Sequence, residues 1–247
     1  MTKSSPVAVI TGASSGIGAA AAIALHKGGY SLVLGSRRFD LLEAVGNPLK
    51  ALCLHLDVTD PESVSSFCSQ IPNANLLINN AGGALGLDPI SDAKDEDWIR
   101  MYETNVLGLM RMTRELLPKL EASGSGHVIN IGSIAGREPY PGGGGYNAAK
   151  FAVRAISQVM RMEWVGRPVK VTEIAPGMVE TEFSIVRFKG DAEKAKRVYH
   201  GLVPLTAGDV AEAIVWAATR PPHVNIDEIV MKPLAQATAT LAARKLD

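Results

Sequence analysis

Short apolar runs alternate with longer amphipathic stretches along almost the whole of this chain. Runs rich in Val, Ile and Leu fall near 7–11, 31–35, 51–56, 75–79, 127–131, 169–175 and 227–231. Each has strand length and is apolar without interruption, as strands buried on both faces of a parallel sheet are. Helical patterns lie between them, near 16–28, 39–45, 61–70, 95–121, 146–166 and 207–219. Alternating strands and helices predict an α/β fold: a doubly wound parallel sheet of about seven strands, with helices on both faces. No linker, repeat or low-complexity tail divides residues 1–247, so a single domain is expected. Only the segment 177–206 breaks the rhythm. It is long and charged, and it begins at Pro176-Gly177, just past a strand's carboxyl end. Such a segment is expected to cover a substrate, with a short helix within Asp191 to Tyr199.

The first strand runs straight into T-G-A-S-S-G-I-G, Thr11 to Gly18, and an Ala-rich helical stretch follows. Strand, glycine turn and helix form the setting of a dinucleotide-phosphate site. Gly12 permits the tight turn, Gly16 lets backbone approach a pyrophosphate, and Gly18 allows close packing. The free N–H groups of the helix start favour phosphate. Ser14, Ser15 and Ile17 complete the candidate cradle. At the end of the second strand the chain reads L-G-S-R-R-F-D, Leu34 to Asp40. Ser36 stands where an acid would bond a ribose 2′-OH, and Arg37 and Arg38 follow it. Guanidinium groups bind phosphate and stack on flat rings, so this end predicts NADP(H) over NAD. Asp40 is the competing acid, one helical step too far along.

Candidate chemistry concentrates in Ser133 to Lys150, S-I-A-G-R-E-P-Y-P-G-G-G-G-Y-N-A-A-K. Tyr146 and Lys150 are four apart and would share a helix face. A phenol ionises near pH ~10, and a neighbouring ammonium is expected to lower that value toward neutrality. Ser133 would hold a substrate oxygen beside the phenol.

These motifs resemble those of the short-chain dehydrogenases/reductases over essentially the whole chain. Besides the glycine turn and Y-x-x-x-K, the chain carries L-D-V at Leu56 to Val58 and N-N-A-G at Asn79 to Gly82. It also carries T-N-V at Thr104 to Val106 and I-A-P-G-M-V-E-T at Ile174 to Thr181, all in the family's order. The resemblance implies a Rossmann-type sheet and a catalytic tetrad of Asn105, Ser133, Tyr146 and Lys150. It implies that Asp57 and Val58 line adenine and that the backbone of Asn79, Asn80, Ala81 and Gly82 lines ribose. Tyr146 and Lys150 would meet the nicotinamide ribose, and Pro176, Gly177, Val179 and Thr181 the carboxamide. The carbonyl of Asn105 would hold a water leading from Lys150 to solvent. A homotetramer with the helix at 146–166 in an interface is also implied.

Composition narrows the classes. Net charge is zero, with 25 acidic and 25 basic residues, so nothing marks nucleic acid or a membrane surface as a partner. No apolar stretch approaches the ~18 residues of a membrane span. M-T-K-S-S-P leads directly into the first strand and leaves no room for a leader, so a cytoplasmic location is expected. Cys53 and Cys68 read as core residues, and the five histidines lack metal-ligand spacing, so no metal is expected.

A finer likeness concerns the substrate. Ala84 to Gly86, Gly132 to Pro141, Glu180 to Asp191 and P-P-H-V-N-I-D-E-I-V-M-K-P resemble the NADP-dependent 3-hydroxy acid dehydrogenases. That implies serine, allo-threonine or malonic semialdehyde as substrate. Gly142 to Gly145 depart from the family's bulkier residues. Arg137, Arg187 and Lys189 are the candidate partners of a substrate carboxylate. The alternatives are a broad carbonyl or ketoacyl reductase of the same family and, further off, a non-enzymatic nucleotide sensor, a class that commonly loses the Tyr or Lys.

Overall fold

The computed structural model describes residues 5–245. Residues 1–4, on which the expectation about a leader rests, lie outside the described residues. Seven strands form one parallel sheet: β1 (Val7–Thr11), β2 (Ser31–Ser36), β3 (Leu52–His55), β4 (Leu76–Asn79), β5 (Gly126–Ile131), β6 (Val169–Pro176) and β7 (Glu228–Met231). The spatial order is β3-β2-β1-β4-β5-β6-β7. The order reverses between β1 and β4, and the crevice at such a reversal is where open α/β sheets bind ligands.

The helices divide between two faces because successive strand residues point to opposite sides. Val9, Leu77, Val128 and Val171 pack with α3 (Pro61–Ser69), α5 (Gly108–Ala122) and α6 (Gly144–Glu163). Ala8, Ile10, Ile78 and Ile129 pack with α1 (Gly16–Lys27), α2 (Phe39–Gly46) and α9 (Ala207–Ala218). The largest buried side chains, among them Phe67, Leu25, Ile78 and Leu116, occur in both layers.

The stretch expected as one helix over 95–121 is interrupted. After α4 (Asp95–Tyr102) the residues Glu103–Leu107 form a π-helical turn, and α5 resumes at Gly108. The cause is tertiary. The side chain of Asn105 donates to Met101 O at 2.7 Å and to Gly83 O at 2.9 Å, and accepts from Gly83 N at 3.3 Å. Widened turns of this kind are frequent at functional sites.

Between β6 and α9 the chain forms α7 (Phe183–Arg187), which the sequence pattern does not disclose, and α8 (Ala192–Tyr199), close to the expected short helix. Tyr199 ties the two, donating to Val179 O at 2.9 Å and meeting Ser184 Oγ at 2.8 Å. No helix among the described residues is long and apolar enough to cross a membrane.

Candidate active site

The carboxyl ends of β1 and β4 are sewn together by Asn80. Its amide donates to Thr11 O at 2.9 Å and Gly12 O at 3.0 Å, while Thr11 Oγ1 accepts from the N–H groups of Asn80 and Ala81. Gly12, at φ 65°, fits between them, since a Cβ there would lie 2.9 Å from Ala81 Cα. Gly18 is equally confined: its Cβ would lie 2.5 Å from both Asn80 Nδ2 and Gly12 O. It therefore packs the turn without lining the cleft. Ser15 occupies the N-cap of α1 but its hydroxyl caps nothing, which leaves the first amides of the helix open.

A cleft of about 680 Å³ runs along these strand ends. Gly12, Ser14, Ser15, Gly16 and Ile17 form its floor at one end, with Ser36, Arg37 and Arg38 beside them. Ser36 Oγ donates to Ser14 Oγ at 2.9 Å and accepts from Arg38 N at 3.2 Å. The Arg38 guanidinium donates to Ser14, Ser15 and, at 2.9 Å, to Glu182 across the cleft. Arg37 is half exposed and its nearest acid, Asp57, is 3.9 Å away. Asp40 sits in the first turn of α2 and does not line the cleft. Farther on come Asp57, Val58, Asn80, Ala81 and Gly82, then Pro176, Gly177, Val179 and Thr181. Burial acts to raise the Asp57 carboxyl, but hydrogen bonds from Thr59 and the charge of Arg37 outweigh it and hold the group below its ordinary value.

Ser133, Tyr146 and Lys150 meet at the far end of this cleft. Ser133 follows β5 and accepts from Ala135 N at 3.1 Å. Tyr146 and Lys150 lie one turn apart on α6, both buried, with Lys150 Nζ 5.8 Å from the phenol ring centroid. Lys150 Nζ donates to Ile131 O at 2.8 Å. Gly82 draws the fourth group in: a Cβ there would lie 2.6 Å from Asn105 Oδ1 and 3.7 Å from Lys150 Nζ. α6 thus supplies Tyr146 and Lys150, the end of β5 supplies Ser133, and the π turn brings Asn105 against Gly82 beside Lys150.

The expected electrostatics need correction. Burial pushes the Tyr146 phenol up from its ordinary 10, and the neighbouring Tyr140 adds to this. Hydrogen bonding with Ser133 and the charge of Arg187 oppose the rise without cancelling it. Lys150 is itself pulled down to about 8 by burial, against the pull of Glu173. In a site this dry, desolvation outweighs the ammonium's effect on the phenol.

Three further expectations are corrected. Arg137 is no carboxylate receptor: both its Nη atoms bond Glu173, at 2.9 and 3.0 Å, and Nη2 also bonds Glu228 at 2.9 Å. Lys189 is turned outward to Asp97 at 2.9 Å. Asn79 lies in the core, donating to Thr113 Oγ1 and Asn130 Oδ1, and does not line the cleft. Arg187 is different. Its guanidinium stands 5.4 Å from the Tyr140 ring centroid and 5.8 Å from that of Tyr146, with Nε on Gly86 O at 3.0 Å. Its Nη2 is buried and has no partner among the described residues.

The pattern gave no sign of four more lining residues: Tyr140, Phe183, Glu182 and Gln236. Phe183 packs on Tyr146 with ring centroids 5.5 Å apart. Gln236 reaches back from the chain's last segment, its Oε1 accepting from Met178 N at 2.9 Å. Packing explains three of the four glycines, and Gly142 sits at φ 74°. Built side chains at Gly143, Gly144 and Gly145 would come within 2.3 to 2.9 Å of Tyr140, Trp98 and Met101, so the run lets the start of α6 sit tightly against α4 and Tyr140.

Comparison with known proteins identifies the family and the fold. The short chain dehydrogenase family profile matches residues 6–191. The chain belongs to the short-chain dehydrogenase family. An uncharacterized oxidoreductase of Mycobacterium tuberculosis is 50% identical over 237 residues, 96% of this chain and 94% of the relative. An NADP-dependent 3-hydroxy acid dehydrogenase of Salmonella typhi is 41% identical, covering 97% of this chain and 99% of its own. Among solved structures, the closed form of a serine dehydrogenase complexed with NADP+ superposes with a TM-score of 0.92 at 40% identity, over 97% of this chain and 100% of the other.

Proposed function

We propose that this short-chain dehydrogenase is an NADP-dependent oxidoreductase acting on the hydroxyl or carbonyl of a small 3-hydroxy acid. The class of the serine, allo-threonine and malonic semialdehyde group fits best. One observation carries the substrate class: a buried, unpartnered Arg187 Nη2 beside the Tyr146 phenol. An apolar ketone would leave that donor unmet, and an unmet buried charge is costly. A carboxylate would satisfy it while its own hydroxyl or carbonyl carbon lies at Tyr146.

NADP(H) fits the rest of the cleft. The glycine turn approaches without side chains, the N-terminal amides of α1 are free, and Arg37 is committed only to a long contact with Asp57. No acid occupies the Ser36 position, so a 2′-phosphate meets hydroxyls and guanidinium groups in place of a carboxylate. When bound, the nicotinamide supplies or accepts the hydride. Tyr146 then gives its phenolic proton to the carbonyl oxygen or, in oxidation, takes one from the hydroxyl as the phenolate. Ser133 would hold that oxygen, and Lys150 would hold the nicotinamide ribose and return a proton to the phenolate. A water on the Asn105 carbonyl would link Lys150 to solvent.

Residues 1–247 are read as one domain in which 177–206 closes over the substrate. A homotetramer is the expected assembly. Its support is the outer face of α6, where Phe151, Val159 and Met162 are exposed in a helical stripe, with exposed Val165 in the turn just beyond the helix. A screen of hydroxy acids and neutral alcohols, with NADP and NAD side by side, tests the whole reading. It expects activity with hydroxy acids and NADP, and a preference for neutral ketones would assign the broad carbonyl reductase instead.

A further inference from the structure

Glu173 lies on β6 with a side chain that is 0% exposed. Arg137 grips it with two hydrogen bonds and spans onward to Glu228 on β7. A buried ion pair is a poor way to gain stability, since neutral side chains of similar size hold a core equally well. Its position suggests a different use. The Glu173 carboxylate lies against Gly132, where a built Cβ would come within 2.1 Å of Oε1. Lys150 Nζ bonds the carbonyl of the preceding residue, Ile131, and Ser133 is the next residue along. Arg137 Nη1 also reaches Ser133 O at 3.4 Å. Glu173, Arg137 and Lys150 thus converge on the three residues Ile131 to Ser133.

We propose that Glu173 is a positioning residue of the catalytic site: clamped by Arg137, its carboxylate fixes the strand end bearing Ser133 and supplies negative charge behind the Lys150 ammonium. This rests on the reading of Lys150 as the cation of the site. The groups around Lys150 are Tyr146 on its own helix, Glu173 from β6, Arg137 from the turn after β5, and neutral Asn105 across Gly82. Arg187 faces the Tyr146 ring from the segment after β6, and Tyr140 further disfavours ionisation of the same phenol. Among these, Glu173 is the carboxylate whose charge opposes the effect of burial on Lys150. Gly132 follows as a consequence, because any side chain there would displace the carboxylate.

The test is a titration of Lys150 in the intact protein carrying 13Cε-labelled lysine, its signal assigned by its loss in Lys150→Met. In Glu173→Gln the midpoint should fall by about one pH unit, the lower end of what a neighbouring charge contributes. Glu173→Asp should restore most of it. Should Glu173→Gln not fold, the paired Arg137→Gln/Glu173→Gln variant removes the carboxylate without leaving a lone buried charge. It should show a fall of the same sign, reduced by the loss of the Arg137 cation. An unchanged midpoint in a folded variant overturns the proposal, even if activity drops, because a purely structural Glu173 would not move that titration. The readout is independent of turnover, so a failure of Lys150's role toward cofactor would show separately, as normal kinetics in Lys150→Met.

Discussion

Replacing Arg187 by Met removes the guanidinium but keeps an unbranched stem to lie against Tyr140. Two kinds of loss follow, and the structure separates them. The bond from Nε to Gly86 O holds the segment after β6 whatever the substrate. Its net worth is about 1 kcal/mol, or roughly a fivefold loss on every substrate. The unpartnered Nη2 is available only to a ligand. A hydrogen bond from a charged group contributes ~1.5–3 kcal/mol, so carboxylate substrates should lose a further ten- to hundredfold or so. The assay is kcat/KM with NADP(H) for serine oxidation or malonic semialdehyde reduction, set against a neutral ketone of similar size. The ratio between the substrate classes should fall by tenfold or more. Equal losses on both would refute carboxylate recognition and leave Arg187 a structural tie of its segment. No loss on either would place the anchor elsewhere, and Arg137 and Lys189 are already committed to acids.

Arg37→Ala, or Ser36→Asp, should raise KM for NADP about tenfold or more and spare NAD, which steady-state kinetics with both cofactors would check; equal effects would refute the reading of the β2 end. Lys150→Met should stabilise the protein near neutrality while destroying activity. The native Lys150 value near 8 lies below the usual 10.5, so the unfolded chain binds more protons between those limits and wild-type stability climbs with pH there. The variant's advantage, about 3 kcal/mol at pH 7, should therefore vanish by about pH 10.5 in denaturant titrations. Gly143→Ala sets a methyl 2.3 Å from the Tyr140 ring, so melting should show a loss of about 1–3 kcal/mol, as overpacking does.

All seven strands and the glycine turn were legible because both depend on local pattern. Strands such as β1 and β4 are buried on both sides, so their apolar runs stand out from polar surroundings. Tyr146 and Lys150 were legible because helical spacing alone sets their common face. The π turn at Glu103–Leu107 was not, since its cause is a side-chain bond from Asn105 to Gly83, on a separate loop 22 residues away. Arg137 was misread for the same reason. Its partner Glu173 lies 36 residues onward, on the neighbouring strand, and pairing at that range leaves no trace in spacing. The balance at Tyr146 also escaped, because charge proximity can be read from sequence whereas the degree of burial that opposes it cannot.

Tyr146→Phe is the most direct measurement of the central claim, that this phenol moves the proton during hydride transfer. The variant keeps the ring against Phe183 and leaves the glycine turn, Arg37 and Arg38 untouched, so the cofactor cradle should survive. NADPH binding followed by fluorescence should stay close to wild type, while turnover of malonic semialdehyde or serine should be abolished. A variant that binds NADPH normally and retains a tenth or more of wild-type kcat would contradict the assignment.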